Sequence, residues 1–391
     1  MKYNFDKVID RSGTSAEKVE GLKHIWGRTD LIPLWVADMD FATAPFVTDA
    51  IRKRCENEVL GYTGKPDSYY NAIINWVKQR YDLIVTKEVI NFVPGIVPGI
   101  GMAMNCFTQK GDKVMIQPPV YHPFAWVATR NERTLVINPL KWENGMYRMD
   151  LDAFREQIKG CKLFILCNPH NPGGVVWTEA ELRVIADICY DEKVLVVSDE
   201  IHADLTLPPH THRPFATVSE KARMNSVTFM SPSKAFNMPG LSASHALIFN
   251  EDLRKRFRIY MDAGELDMGH VFAFLSVEAA YSHGTEWLDQ CLAYIQGNID
   301  FVDEFLKKHA PKIKAIRPEA SYLVWLDCRE LELSQKDLNE FFVDKAHLAL
   351  NDGEMFGKEG IGFMRLNVAS PRCIIEKAMK QLADAYQLYI K

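Results

Sequence analysis

The sequence of 391 residues lacks a surplus of basic residues, a long apolar run and any regular pairing of cysteines. Its 46 Lys and Arg residues stand against 51 Asp and Glu residues, giving a formal net charge of -5. Proteins that read a nucleic-acid backbone usually carry a basic surplus or a basic stripe, which argues against nucleic acid as the main partner. No apolar stretch approaches the ~18–20 residues needed to span a bilayer, so we expect no membrane segment.

The eight cysteines are scattered, and none forms a C-x-x-C pair. Several lie within apolar segments such as LFILC, which is typical of buried reduced thiols rather than of disulfides or zinc ligands. The N-terminal sequence MKYNFDKVIDRSGTS is polar and has no apolar core of a signal peptide. We therefore expect a cytoplasmic protein.

Short apolar runs alternate with helical patterns in the middle of the chain. The segment 178–193 predicts a helix with an apolar stripe, and Thr178 with Glu181 forms a capping-box pattern at its start. Strands alternating with helices predict an α/β fold with a mostly parallel sheet covered by helices. The predicted strands are residues 113–117, 134–137, 162–167, 194–198, 227–230 and 245–249.

The final third of the chain changes character. A long helical stretch without proline runs from Thr285 to about His309, and strand candidates follow at residues 321–327 and 362–369. This pattern predicts a smaller α+β domain. No Gly/Ser-rich linker separates it from the rest, so the long helix is expected to connect the two parts rigidly.

Open parallel sheets bind ligands at the carboxyl ends of their strands, and three predicted strand ends carry unusual sequences. After residues 162–167 comes NPHNPGG, a constrained turn that is either a plain loop or a device that aims the Asn171 amide at a ligand. After residues 227–230 comes SPSKAFNMPG, in which hydroxyls flank Lys234. An isolated lysine is most often a surface residue, so this motif alone is weak.

The third strand end, after residues 194–198, is acidic and reads DEIHAD. Asp199 could hold a metal, a ribose or a protonated ring nitrogen. Asp199, His202 and Asp204 are metal ligands by type, but their spacing alone does not establish a metal site. A solvated strand end is the plain alternative.

The order of these elements is more specific than any one of them. With Asn171, Asp199, Lys234 and then Arg365 in FMRLNVASPR, the chain resembles the fold-type-I pyridoxal-phosphate (PLP) enzymes, the aminotransferase class I/II superfamily, over essentially its whole length. The resemblance implies a large domain with a mostly parallel seven-stranded sheet sandwiched by helices, and a small α+β domain. The implied limits are residues 1–45 for an N-terminal segment packing with the small domain, 46–284 for the large PLP-binding domain and 285–391 for the small domain.

The resemblance also implies roles for individual residues. Lys234 is expected to bind the cofactor aldehyde and then to take the Cα proton of the substrate. Asp199 is expected to pair with the pyridine nitrogen, and Tyr121 to stack on the ring. Asn171 is expected to contact the ring hydroxyl oxygen and the substrate. Arg365 is expected to clamp the substrate α-carboxylate in a bidentate pair.

Further cofactor contacts follow from the same resemblance. Tyr62 in LGYTGKP matches a tyrosine that reaches the phosphate of the neighbouring subunit, which implies a homodimer. Core packing is the plain alternative for Tyr62 and for Tyr121. A Pro-Gly turn that opens a helix favours an anion at the helix N-terminus. The remaining implied contacts are His202, Ser231, Ser233, Gly95, Ile96 and Val97.

The segment PLWVADMDF (residues 33–41) resembles a signature of the MalY/PatB-type cystathionine β-lyases. His202 stands where aminotransferases often have Tyr, as in that lyase group. The resemblance implies Trp35, Val36 and Ala37 at the substrate entrance, although an amphipathic segment without a catalytic role is the plain alternative. It implies no metal.

The implied reaction is an α,β-elimination that converts L-cystathionine or a related L-cysteine S-conjugate to a thiol (homocysteine), pyruvate and ammonia. An aminotransferase acting on an L-amino acid with the same scaffold is the first alternative. A PLP-binding regulatory or interaction protein is the second.

Overall fold

A computed structural model of the protein describes residues 2–389. Its α-helices are α1 (Glu17–Trp26), α2 (Pro45–Cys55), α3 (Asp67–Tyr81), α4 (Ile96–Phe107), α5 (Pro123–Arg130), α6 (Leu151–Gln157), α7 (Glu179–Asp191), α8 (Glu220–Met224), α9 (Glu251–Ala263), α10 (Val271–His283), α11 (Thr285–His309), α12 (Gln335–Glu340) and α13 (Arg372–Tyr389). Its strands are β1 (Ile32–Pro33), β2 (Ile90–Val93), β3 (Lys113–Ile116), β4 (Thr134–Ile137), β5 (Lys141–Glu143), β6 (Met146–Arg148), β7 (Cys161–Cys167), β8 (Leu195–Asp199), β9 (Ser226–Met230), β10 (Ser244–Leu247), β11 (Lys314–Ile316), β12 (Leu323–Asp327), β13 (Leu348–Ala349), β14 (Asn351–Asp352) and β15 (Phe363–Asn367).

A seven-stranded sheet with the order β2-β10-β9-β8-β7-β3-β4 forms the centre. β10 is antiparallel to β2 and β9, and the other neighbours pair in parallel. Every residue of β8 and β9 is buried, as expected for strands covered on both faces. Successive residues of a strand pack on opposite faces of the sheet. One face packs against α4, α5 and α9, and the other packs against α7 or α10. The predicted mostly parallel sheet between helices is confirmed.

The predicted elements of this sheet agree with the observed ones to within two residues at each end. The capping box of α7 is confirmed, because the Thr178 hydroxyl accepts from the Glu181 N–H at 3.2 Å while the Glu181 carboxylate accepts from the Thr178 N–H at 2.8 Å. The sequence analysis missed β2, a four-residue strand just before a Pro-Gly turn. Its apolar run is too short to separate a strand from a buried loop by periodicity.

A second sheet, with the order β11-β12-β15-β14, is antiparallel and lies in the last third of the chain. The long helix predicted before it is α11. β1 pairs in parallel with β13, with Ile32 opposite Leu348, so the N-terminal segment joins this part of the molecule. These placements support the predicted domain limits, which stay predictions. Within residues 2–389, no helix is both long and apolar enough to cross a membrane.

Ion pairs around the buried Lys18 side chain anchor the end of the PLWVADMDF segment. The Lys18 side chain is fully buried, and its Nζ lies 2.8 Å from an Asp40 carboxylate oxygen. Arg11 lies 2.6 Å from Asp38 and 3.1 Å from Asp40. Because a buried charge is costly unless it is paired, these contacts hold residues 38–40 in one place beside the cavity described next.

Candidate active site

A cavity opens at the carboxyl ends of β7, β8 and β9. It brings together the residues that follow these strands, since parallel strands end at the same edge of the sheet. Of the residues predicted from the sequence, those that line it are Ala37, Gly95, Ile96, Val97, Tyr121, Asn171, Asp199, His202, Ser233 and Lys234.

Lys234 follows β9 and points its amine into the cavity. Its Nζ donates a hydrogen bond of 2.6 Å to the backbone oxygen of Ala37. Burial lowers the pKa of Lys234 to about 8, with a further lowering by Arg365, while Asp38 and Asp199 oppose the shift. A substantial share of the amine is therefore neutral near pH 8, and the neutral amine is the form that acts as nucleophile and base.

Asp199 ends β8 and is 4% exposed. One carboxylate oxygen accepts a hydrogen bond of 3.0 Å from the Ile201 N–H. Burial raises the pKa of Asp199 to about 7, and the neighbouring Glu200 also raises it. A carboxylate held in this way is suited to pairing with a positively charged group that enters the cavity, because such a group would restore the ionised form.

Arg365 lies in β15 and is 3% exposed. Its Nη1 donates to Asn171 Oδ1 at 3.0 Å, and its Nη2 donates to Asn351 Oδ1 at 2.6 Å and to the Trp35 carbonyl at 3.2 Å. The guanidinium lies 4.8 Å from the ring centroid of Phe356. Its Nε is buried and has no acceptor among the described residues. A carboxylate next to Asn171 would satisfy this donor.

A glycine turn begins α4 at the cavity wall. Gly95 is the N-cap residue with φ +148°, a conformation that side-chain-bearing residues rarely adopt. A Cβ added there would lie 3.3 Å from Pro98 Cδ. The first backbone N–H groups of this twelve-residue helix have no partner within the helix, and they favour an anion.

The two serines of SPSKAFNMPG take different positions. Ser233 lines the cavity, whereas Ser231 does not. The hydroxyl oxygens of Ser231 and Ser233 lie 2.8 Å apart, and the Ser231 hydroxyl donates to the Ala243 carbonyl at 2.7 Å. Ser231 therefore lies outside the cavity, and its hydroxyl contacts the Ser233 hydroxyl.

Tyr121 and His202 present rings to the cavity. Tyr121 packs edge-to-face on Phe124, with ring centroids 5.8 Å apart, and burial raises the pKa of its phenol. Burial lowers the pKa of His202 to about 3, and its Nδ1 has no partner among the described residues. His202 is therefore a neutral imidazole.

Asp204 was considered as a metal ligand together with Asp199 and His202. It does not line the cavity. It accepts hydrogen bonds from Trp76 Nε1 at 3.0 Å and from the Tyr81 hydroxyl. Across residues 2–389, no group of three or more His, Cys, Asp or Glu side chains is arranged to hold a metal ion.

Besides Ser231, four predicted site residues do not line the cavity: Arg365, Trp35, Val36 and Tyr62. Arg365 contacts the cavity wall through its hydrogen bond to Asn171. Trp35 Nε1 donates to the Lys18 carbonyl at 3.0 Å, and the indole packs edge-to-face on Trp26. Val36 offers its carbonyl to Asn367 Nδ2 at 2.6 Å. Tyr62 is 98% exposed and lies on another surface of the chain.

The sequence analysis missed three polar residues that support the site: Asn351, Asn367 and Tyr322. Asn367 follows Arg365 by two positions in β15, so strand alternation places both on one face, and this signal could have found it. Asn351 is the β14 residue opposite Arg365, a pairing that no local pattern indicates. Tyr322 directly precedes β12, and its hydroxyl donates to the Ala37 carbonyl at 3.0 Å.

The family described as "aminotransferase class I and II" matches residues 29–382. The chain belongs to that family. Cystathionine beta-lyase PatB of Bacillus subtilis (strain 168) is 38% identical over 98% of this chain and 99% of the relative. The aminotransferase-family resemblance predicted from NPHNPGG, DEIH and SPSKAFNMPG is thus confirmed.

Two solved structures are similar to this family member over its full length. Cystalysin from Treponema denticola, which contains a pyridoxal 5'-phosphate cofactor, has a TM-score of 0.96 and 33% identity and covers 100% of both chains. The PLP-bound C-S lyase from Staphylococcus hominis has a TM-score of 0.91 and 35% identity, covering 99% of this chain and 98% of the other.

Proposed function

We propose that this member of the class I and II aminotransferase family is a PLP-dependent carbon–sulfur β-lyase. Its substrate is L-cystathionine or a related L-cysteine S-conjugate, and its products are a thiol (homocysteine from cystathionine), pyruvate and ammonia. The observation that carries the proposal is that Lys234, Asp199 and Asn171 line one cavity, with Arg365 hydrogen-bonded to Asn171 behind its wall. The 38% identity to a cystathionine beta-lyase over 98% of the chain supports the choice of reaction.

The groups around the cavity fit PLP. Lys234 supplies an amine for the aldehyde, and Asp199 supplies a buried carboxylate for the ring nitrogen. The turn at Gly95, together with the Ser233 hydroxyl, provides donors for a phosphate. Asn171 and Tyr121 also line the cavity and would contact the ring hydroxyl oxygen and the ring face.

The protein's own groups then have distinct tasks. PLP, when bound, draws electrons from the substrate Cα and makes its proton acidic. Arg365 and Asn171 hold the α-carboxylate and so fix which Cα bond faces the amine. Lys234, in its neutral form, takes the Cα proton at Nζ and then carries that proton toward the departing sulfur. Asp199 would pair its negative charge with the ring nitrogen and so keep that nitrogen protonated.

The proposed function predicts equal amounts of pyruvate and free thiol from L-cystathionine in the absence of any keto acid. The rate should fall in the range typical of enzymes in general, with kcat of about 1–10³ s⁻¹. Pyruvate is followed with lactate dehydrogenase and thiol with a chromogenic disulfide. Absence of both products, together with transfer of the amino group to an added keto acid, would instead favour an aminotransferase. No catalysis of either kind would favour a regulatory PLP-binding protein.

The preferred leaving group is found by ranking a panel of S-conjugates by kcat/KM for pyruvate release. Cystathionine, cystine and smaller thioethers place the same atoms at Cα and Cβ and differ only beyond sulfur. The order of the panel therefore reports on the outer part of the cavity.

We also propose a homodimer in which Tyr62 contacts the phosphate site of the neighbouring subunit. The support is that Tyr62 is 98% exposed and that Val59 and Leu60 beside it are exposed as well, an arrangement typical of residues that a partner covers. We further propose a cytoplasmic location, which is supported by the unpaired state of the cysteines.

Tyr62→Phe is expected to weaken PLP binding about tenfold to a hundredfold without changing the molar mass of the assembly, because it removes one hydrogen bond to a charged group. Light scattering gives the mass, and fluorescence titration of the PLP-free protein gives the Kd. Tyr190→Phe, at another exposed tyrosine, is the matched control. A monomeric wild-type protein would contradict the dimer, and an unchanged Kd would contradict the contact.

A further inference from the structure

Two side chains donate hydrogen bonds to one backbone oxygen beside the cavity. Lys234 Nζ lies 2.6 Å from the Ala37 carbonyl oxygen, and the Tyr322 hydroxyl lies 3.0 Å from the same atom. A carbonyl oxygen has two lone pairs, so these two donors use its full capacity. Tyr322 is thereby linked to the Lys234 amine through a single atom.

The Ala37 carbonyl cannot turn freely, because its neighbours in the chain are also held. The Trp35 carbonyl accepts from Arg365 at 3.2 Å. The carbonyls of Val36 and Asp38 both accept from Asn367 Nδ2, at 2.6 and 2.7 Å. The direction of the Ala37 carbonyl is therefore set by the surrounding protein, and the amine that bonds to it takes a defined position.

Tyr322 is held as firmly as its acceptor. It is 0% exposed, its backbone carbonyl accepts from the Val368 N–H at 2.9 Å, and its ring lies edge-to-face on His202. Ser321 before it has φ +80°, in a region that non-glycine residues rarely adopt. Backbone strain of this kind persists where the surroundings enforce it, and it is concentrated at functional sites.

We propose that Tyr322 is a positioning residue that acts on Lys234 through the Ala37 carbonyl. The Tyr322 hydroxyl draws electron density from the carbonyl oxygen, so this oxygen attracts the charged ammonium form of Lys234 less strongly. The neutral amine is thereby favoured, and its lone pair is kept at one place in the cavity. The role rests on the proposed use of Lys234 as the amine that binds the cofactor and moves the Cα proton.

The hydroxyl is a permanent donor, because burial raises the pKa of Tyr322 well above its ordinary value. Replacing it by hydrogen changes no charge at the site. The charged and titratable groups that face Lys234 or Tyr322 stay in place in such a variant: Asp38, Asp40, Asp199, Arg365, His202, Tyr121 and Cys291.

Tyr322→Phe tests the link directly in the full-length protein freed of PLP. The rate of Lys234 acetylation by acetic anhydride is measured by mass spectrometry across a pH series, and its midpoint reports the pKa of the amine. We expect the midpoint to rise by about 0.5 to 1 pH unit. Tyr69→Phe is the matched control, since Tyr69 is also fully buried and its hydroxyl has no partner in the described part of the chain. It should leave the midpoint unchanged.

The PLP-loaded enzyme supplies a second readout. Tyr322→Phe should lower kcat for pyruvate release about threefold to tenfold near neutral pH, with KM changed by less than about twofold, and should move the rising limb of the pH–rate profile upward. An unchanged acetylation midpoint would overturn the assignment of Tyr322. A shifted midpoint in a protein that releases no pyruvate would support the link and reject the lyase function instead.

Discussion

Lys234→Ala is expected to lower kcat/KM for pyruvate release from L-cystathionine by about 10⁴-fold or more. In the proposed mechanism, Lys234 supplies both the amine that binds the cofactor aldehyde and the base that takes the Cα proton, and each of these tasks contributes orders of magnitude to the rate. The measurement is the coupled pyruvate assay, together with the visible absorbance band of PLP bound to the protein. That band should be lost or altered because no covalent link can form.

Two further variants separate this effect from general damage. Lys162→Ala changes an exposed lysine in β7 of the same sheet and should keep the wild-type rate. Lys234→Arg keeps a positive charge near Ala37 but offers no neutral amine, since arginine stays protonated, so it should be as inactive as Lys234→Ala. A Lys234→Ala protein that kept more than about a tenth of the wild-type rate would show that another group moves the proton.

Asp199→Asn should reduce kcat/KM by about 10²- to 10³-fold, because in the proposed mechanism Asp199 pairs with the ring nitrogen and an amide cannot stabilise a positive charge there. PLP affinity should fall as well, which a fluorescence titration measures without reference to turnover. Asp49→Asn, at an exposed carboxylate on α2, is the control. Full activity of Asp199→Asn would remove Asp199 from the mechanism.

The same substitution has an opposite effect on the stability of the PLP-free protein. Burial raises the pKa of Asp199 from 3.8 to about 7 in the folded state, so between these values the folded state binds more protons than the unfolded state. Stability is therefore lost as the pH rises from about 4 to about 7. Asp199→Asn has no carboxylate to ionise at this position, so its stability does not fall in this way. Its free energy of unfolding should exceed that of the wild type above pH 7, and the two values should be equal near pH 4. Denaturant unfolding at both pH values measures it.

Local sequence was sufficient where a feature depends on neighbours along the chain. The capping pair Thr178 and Glu181 predicts the start of α7, because both partners lie within one helical turn. The strand ends that carry Asn171, Asp199 and Lys234 were also predicted, because their apolar runs are short and sharply bounded.

Local sequence was insufficient where a feature depends on distant pairing. Asn351 reaches Arg365 only because β14 lies beside β15, and Tyr322 reaches Ala37 across most of the chain. Trp35 points toward α1 because its indole N–H finds the Lys18 carbonyl there. Such contacts follow from tertiary packing, which hydropathy and turn patterns do not specify.

The parallel pairing of Ile32 with Leu348 has a consequence for how the protein is made. A ribosome adds about 5–20 residues per second, so Lys234 leaves it several seconds before Arg365 does. Until β13 and β15 have emerged, the segment around Ala37 has no strand to pair with and no arginine to hold it. Nascent and truncated chains that end before β13 and β15 therefore lack the contacts that hold Ala37, whose carbonyl accepts the Lys234 hydrogen bond.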